Sequence, residues 1–225
     1  LVSDDFTRAD SVSLGTTPVG GYTWIQNQPT GSISIVSNVA SINSRGSGGT
    51  PMAVVGGFTI ADLDITASYA GTLVPSNNYF FTLGYRMSAD TATVQDGQPG
   101  YQLQITSAGW DGTYGANSVT LTYGNAVLQQ ATVAAFTQST VYDIRVLASG
   151  NSHTVYLDGG ELFQFTETTG GRTGAGYAGF GGYYGNYDVS NFEISNVPEP
   201  STLLLCGLGF GLIAFRRSRR SGAVD

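Results

Sequence analysis

No stretch before Ser201 keeps apolar residues at a 3.6-residue spacing; short runs of β-formers follow one another instead, cut apart by Gly, Asn, Asp and Pro. A chain punctuated in this way cannot build helices long enough to pack, so its backbone groups must find partners in sheets. The runs fall at 22–24, 32–36, 40–42, 64–69, 79–87, 101–106, 118–123, 140–148, 154–157, 162–165, 177–180 and 189–194. Run 101–106 alternates, placing Tyr101, Leu103 and Ile105 on one face, and run 118–123 does the same with Val119, Leu121 and Tyr123. Run 79–87 is apolar enough to be central. Asp158-Gly159-Gly160 supplies the positive-φ residues of a hairpin turn. Ten or more strands in about 195 residues predict an all-β fold, a two-sheet antiparallel β-sandwich of jelly-roll type.

Composition narrows the function. The chain has 225 residues, 32 Gly, no Lys and only 11% charged residues, which argues against helical bundles and doubly wound α/β enzymes. Before Pro198 stand five Arg against fourteen acids, a balance of −9. Phosphate backbones need a basic face, so no nucleic acid partner is expected. A single Cys excludes an internal disulfide and a Cys-rich zinc site. The chain begins at Leu1, as a chain with a removed signal peptide or a fragment would.

The character of the chain changes at 197. Residues 1–196 read as the sandwich. Val197-Pro198-Glu199-Pro200 then forms an extended spacer, since neither proline continues a helix. An uncharged apolar run, 201–215, follows and ends at Arg216-Arg217-Ser218-Arg219-Arg220, with 221–225 as a tail. As a helix the run would measure about 22 Å, short of a ~30 Å hydrocarbon core. Snorkelling arginines lengthen such a span, and a basic cluster stays on the cytoplasmic side, which would leave the sandwich outside the cytoplasm.

Pro-Glu-Pro, a short apolar helix and a terminal Arg cluster, in this order, resemble the PEP-CTERM sorting signal. That resemblance implies export across the inner membrane of a Gram-negative bacterium that makes exopolysaccharide. It also implies membrane contact through the C-terminal helix, handling by an exosortase-type transpeptidase, and delivery to the envelope, the cell surface or the medium. Residues 4–196 resemble the concanavalin A-like lectin/glucanase (laminin-G-like) jelly roll. The resemblance is carried by Asp4-Asp5-Phe6-Thr7-Arg8-Ala9-Asp10, Trp24, Val155-Tyr156-Leu157-Asp158-Gly159, Gly176-Tyr177-Ala178-Gly179-Phe180-Gly181 and Asn191-Phe192.

Catalytic patterns are weak. Glucanases of this resemblance carry a Glu-x-Asp-x-Glu strand, which is missing; Asp62-Leu63-Asp64 is the nearest approach and reads better as solvated acids. Glu161 and Glu167 share a face only if their strand stays regular. His153, the one histidine, reads as an exposed turn residue. Gly174-x-Gly176-x-x-Gly179 runs into Phe180-Gly-Gly-Tyr-Tyr-Gly, which holds no helix, so it reads as a closely packed strand rather than a dinucleotide loop.

Binding patterns are better. Sugars need aromatic faces beside hydrogen-bonding groups. Trp110, Asp111, Tyr114 and Asn117 lie in a Gly-rich connection between strands, as a platform for polysaccharide or as an anchor packed on the sheet. Tyr183, Tyr184 and Tyr187 form a second candidate set, with a Tyr-rich turn as the alternative. Trp24 reads as core. Arg86 stands in an apolar strand, positioned for a glycan or for an Asp partner. Asp4 and Asp5, with Asp10, and Asn186 and Asp188 could hold a structural Ca²⁺ if first and last strands lie together. The chain therefore reads as a non-catalytic, exported carbohydrate-binding module. A structural matrix protein without specific ligand is the alternative, and a glycoside hydrolase a remoter one.

Overall fold

The computed structural model describes residues 1–28, 31–44, 51–72, 80–90, 99–107 and 116–197. Fifteen strands occur among them. The first five are β1 (Val2–Asp4), β2 (Trp24–Asn27), β3 (Ser32–Val36), β4 (Val39–Asn43) and β5 (Met52–Val55). Next come β6 (Leu63–Thr72), β7 (Phe80–Met87), β8 (Tyr101–Thr106), β9 (Ser118–Tyr123) and β10 (Ala126–Thr132). The last five are β11 (Val141–Ser149), β12 (Ser152–Leu157), β13 (Gly160–Thr166), β14 (Tyr177–Tyr183) and β15 (Asn186–Asn196).

They form two antiparallel sheets. One runs β13-β12-β11-β6-β15-β4-β3, with β1 on the free half of the β15 edge; the other runs β10-β9-β8-β7-β14-β5-β2. The all-β two-sheet sandwich is therefore present as the strand pattern predicts. Runs 32–36, 101–106 and 118–123 coincide with strands, and β7 sits centrally with all eight residues buried. Asp158 and Gly159 take positive φ, 49° and 77°, in the β12–β13 turn, as the sequence predicts.

Period-two alternation builds the core between the sheets. Ile65, Ala67 and Tyr69 of β6 face Phe81, Leu83 and Tyr85 of β7 within one buried cluster. Tyr69 stacks on Phe81 with centroids 4.5 Å apart. Phe6, Trp24, Phe180 and Phe192 form an aromatic knot, Trp24 meeting Phe180 and Phe192 edge-on at 5.2 Å each. Trp24 is core, 4% exposed, and its indole N–H donates to Asp4 at 2.8 Å.

Gly-rich β14 and the residue before it lie close against their neighbours in the seven-stranded sheet. A Cβ on Gly179 would collide with the Ala53 carbonyl oxygen of β5, and one on Gly176 with the backbone of Arg86. The glycine run therefore lets strands approach each other, as the sequence reading of Gly174–Gly179 expects.

Candidate functional site

The seven-stranded sheet turns Phe81, Leu83, Tyr85, Leu103, Ile105, Val119 and Leu121 into the core. Its opposite face then carries Phe80, Thr82, Gln102, Gln104, Thr106, Ser118, Thr120 and Thr122, because alternate residues of one strand point to opposite sides. Register arranges these in rows. Thr82 stands opposite Gln104 and Gln104 opposite Thr120; Phe80 stands opposite Thr106 and Thr106 opposite Ser118. Gln104 donates to Gln102, and Gln130 donates to Thr120 at 2.9 Å. Three neighbouring oxygens, Thr82 Oγ1, Gln104 Oε1 and Thr106 Oγ1, are buried without a hydrogen-bond partner. Such atoms cost free energy until water or a ligand pairs them.

Aromatic side chains flank this face at one end. Tyr183 pairs with Phe80 in register and stacks on it, centroids 5.1 Å apart and rings 18° from parallel. Tyr184 meets Tyr183 edge-on at 4.6 Å. Tyr184 has φ 47°, an unfavourable conformation for a bulky residue, at the tip of the β14–β15 turn. Strain of this kind persists where surrounding structure imposes it, and it clusters at binding sites.

The same register brings Tyr183 and the two ends of the β8–β9 connection to one end of the sheet. The β8–β9 connection leaves at Thr106 and returns at Ser118, in the row that contains Tyr183 and Phe80. Two strand spacings, about 10 Å, separate Tyr183 from Thr106. Asn117 sits at the foot of that connection with φ 51°, its carbonyl accepting the Val133 N–H at 2.8 Å. Trp110, Asp111 and Tyr114 belong to the connection and lie outside the described residues.

Tyr187 does not join the other tyrosines. It is 5% exposed, its ring fills the space over Gly182, and its hydroxyl donates to the Tyr183 carbonyl at 3.1 Å. As a buried strut it has no face to offer a sugar.

The calcium set is not brought together either. First and last strands do pair, but Asp4 stands opposite Phe192 while Asn186 and Asp188 stand opposite Asn43 and Ser41. Four residues of strand, about 13 Å, separate Asp188 from the position opposite Asp4. Asp4 is also saturated: Arg8 grips both its oxygens at 2.7 and 2.8 Å, and the Phe6 amide and Trp24 indole donate to it. Asp5 is engaged by the Thr7 hydroxyl and amide, which lower its pKa, and Asp10 accepts the Ser37 amide. Among the described residues no group of three or more His, Cys, Asp or Glu gathers to hold a metal. These residues do not fit a calcium site.

His153 corrects the sequence reading most sharply. It is fully buried on β12, with Nδ1 2.9 Å from the Tyr85 hydroxyl and its ring 4.4 Å from that of Tyr101. Two turn residues, Gly150 and Asn151, precede the strand, but position 153 alternates inward beside Val155. Burial, with a smaller push from Arg86, lowers its pKa to about 4. Beside it lies Glu167, which accepts the Tyr101 hydroxyl at 2.9 Å and Arg172 at 3.2 Å. Burial raises the Glu167 pKa, yet the Thr169 amide and hydroxyl, Tyr101 and Arg172 together hold it at about 2. Glu161 is exposed and bonded by Gln164, so the two glutamates do not form a pair. Asp62 takes Arg86 at 3.4 Å and Asp64 takes Arg145 at 2.6 Å, so each acid of that motif has its own arginine.

Sequence reading missed the polar rows. Their signal was present as Gln102 and Gln104 between core positions, a strand apolar on one face and amide-bearing on the other.

The two-sheet antiparallel sandwich is similar in fold to galectin-like and carbohydrate-recognition domains of known structure. The carbohydrate-binding module CBM66 from Bacillus subtilis superposes with TM-score 0.58 at 12% identity, over 77% of this chain and 95% of that one. A B. subtilis protein of unknown function with a galectin-like fold gives 0.63 at 10% identity, over 77% and 89%. The exoplasmic/lumenal domain of VIP36, in a form with Ca²⁺ and mannose bound, gives 0.63 at 12%, over 80% and 85%. At these identities the likeness is one of fold. Among curated proteins none matches this chain by sequence. At the C-terminus the match is one of sequence: residues 196–220 carry a PEP-CTERM protein-sorting motif.

Proposed function

We propose that the protein is an exported, non-catalytic glycan-binding module, and that it binds at the end of the seven-stranded sheet where Tyr183, with Tyr184 against it, stands on the row from which the β8–β9 connection leaves and to which it returns. The observation that carries this reading is the cluster of three unpaired buried oxygens, Thr82, Gln104 and Thr106, on two adjacent rows beside the strained aromatic turn. A saccharide ring offers both things such a place lacks: hydroxyls for the oxygens and C–H faces for the tyrosines. The binding of mannose by VIP36 and the carbohydrate-binding name of CBM66 support the reading by analogy of fold. The sorting motif supports export and handling by an exosortase, with the sandwich presented to polysaccharide of the envelope or matrix. Residues 1–196 form the binding module and 197–220 the sorting signal in this reading.

The test is affinity electrophoresis and calorimetry against soluble envelope polysaccharides. Tyr184→Ala and Trp110→Ala should each weaken binding tenfold or more with the unfolding midpoint little changed. Wild-type affinity in both variants would refute this placement of the site.

A further inference from the structure

The outer face of the eight-stranded sheet holds a depression of about 320 Å³, at the small end of ligand-binding pockets. Its floor is made of short polar side chains on the two central strands, Thr66 and Ser68 of β6 and Asn191 of β15. Asp143 and Arg145 of β11 and Tyr156 of β12 form its wall.

Several features show that this shape is built. A β-bulge falls between Val189 and Asn191, the one irregularity in the otherwise continuous β15–β6 pairing, and it aligns Asn191 with Ser68. Bulges re-aim side chains in this way and recur beside binding sites. The β12–β13 turn is pinned over β11 by a reciprocal pair: the Asp143 amide donates to the Asp158 carboxylate and the Asp158 amide to the Asp143 carbonyl, each at 2.8 Å. Asp64 grips Arg145 through Nε and Nη2 at 2.7 and 2.6 Å, holding the guanidinium 5.3 Å from the Tyr156 ring and leaving Nη1 for another acceptor. Ser68 donates to one oxygen of Asp143 at 2.6 Å, leaving the other for another donor.

The ligand chemistry follows from what remains. Asn191 offers a donor and an acceptor, Thr66 a hydroxyl, Asp143 an acceptor and Arg145 a donor, all converging on one small volume with an aromatic wall. An anion is disfavoured because Asp64, Asp143 and Glu193 share this face with the single arginine. A metal is disfavoured because Asp64 and Asp143 already have partners. A neutral ring bearing several hydroxyls suits the arrangement.

We propose that this depression is a second saccharide subsite, taking one ring of a neutral glycan, and that the chain is a two-site module. The two-site count rests on the site proposed above; the subsite itself does not. The sites lie on opposite outer faces, beyond the ~10 Å separating packed sheets, so one sugar ring cannot fill both.

The experiment is a ¹⁵N-NMR titration of the full chain with mannotriose, laminaritriose and cellotriose, paired with calorimetric stoichiometry. At least one trisaccharide should shift the Asn191 side-chain amide saturably and give two sites per chain. Thr66→Val should abolish that response or weaken it tenfold and leave one site, and Asn191→Ala should leave one site by calorimetry. Tyr184→Ala should leave the Asn191 response intact and remove the other site. An Asn191 amide that ignores every trisaccharide overturns the subsite, whether or not the Tyr184 end responds. A response to sodium sulfate in place of sugars overturns the ligand class. An Asn191 response unaffected by Tyr184→Ala, with one site throughout, upholds the subsite and refutes the first site instead.

Discussion

Single residues show where polar groups have been drawn into the interior. Asp4 ties Arg8, Trp24 and the Phe6 amide together at the mouth of the aromatic knot. Asp4→Ala should cost about 2–3 kcal/mol, since it strands the donors of a buried indole and a partly buried guanidinium. Thermal denaturation should register this as a midpoint lower by roughly 5–10 °C. His153 makes a pH prediction with a definite sign. Above its ordinary pKa of 6.5 both folded and unfolded chains hold it neutral. As pH falls towards 4 only the unfolded chain takes the proton, so stability is lost across that window, by about 3 kcal/mol at its limit. Glu167 adds a second loss: the unfolded chain protonates below 4.5, the folded one only near 2. Urea titrations of His153→Phe should therefore show a nearly flat stability from pH 7 to 5, and below 4.5 a shallower fall than the parent's, carried by Glu167 without the His153 part. An unchanged slope between pH 6.5 and 4.5 would place the titrating group elsewhere.

At the scale of strands, the close approach of β14 to β5 depends on a residue without a Cβ. Gly179→Ala should cost about 3 kcal/mol by forcing the strands apart, with the loss appearing in the unfolding midpoint. Twelve strands were legible in the sequence because their β-formers stand between turn residues. Three were not, each for a local reason. β1 is three residues long. β5 is a four-residue, wholly buried run without alternation. β10 is an edge strand whose residues are mostly exposed, so Val127, Gln129 and Gln130 keep no two-residue pattern. The candidate site was legible in part. Aromatics in turns were visible at 183–184, but Tyr187, two residues from the turn, points into the core. The unpaired oxygens of Thr82, Gln104 and Thr106 become a cluster only through the register of β7 with β8, which no local signal encodes. His153 failed for the opposite reason: a turn sequence before it hid its inward position on β12.

For the whole molecule, two glycan sites on opposite faces would make an exported chain a cross-linker rather than a cap. Mixed with a soluble polysaccharide that it binds, the parent should raise viscosity or precipitate the polymer at a stoichiometric optimum. Tyr184→Ala and Asn191→Ala should each bind the polymer and fail to cross-link it. Turbidity measured across a concentration series checks this, and cross-linking by either variant would contradict the two-site account.

The most direct test of the central claim is a glycan-array screen of the purified chain, in calcium and in EDTA, beside Tyr184→Ala. The account predicts saturable binding to neutral glycans, equal in calcium and EDTA because Asp4 is consumed by Arg8 and Trp24, and weakened at least tenfold in the variant. A folded chain that binds no glycan saturably would contradict it, and would leave a sorted structural protein of the matrix.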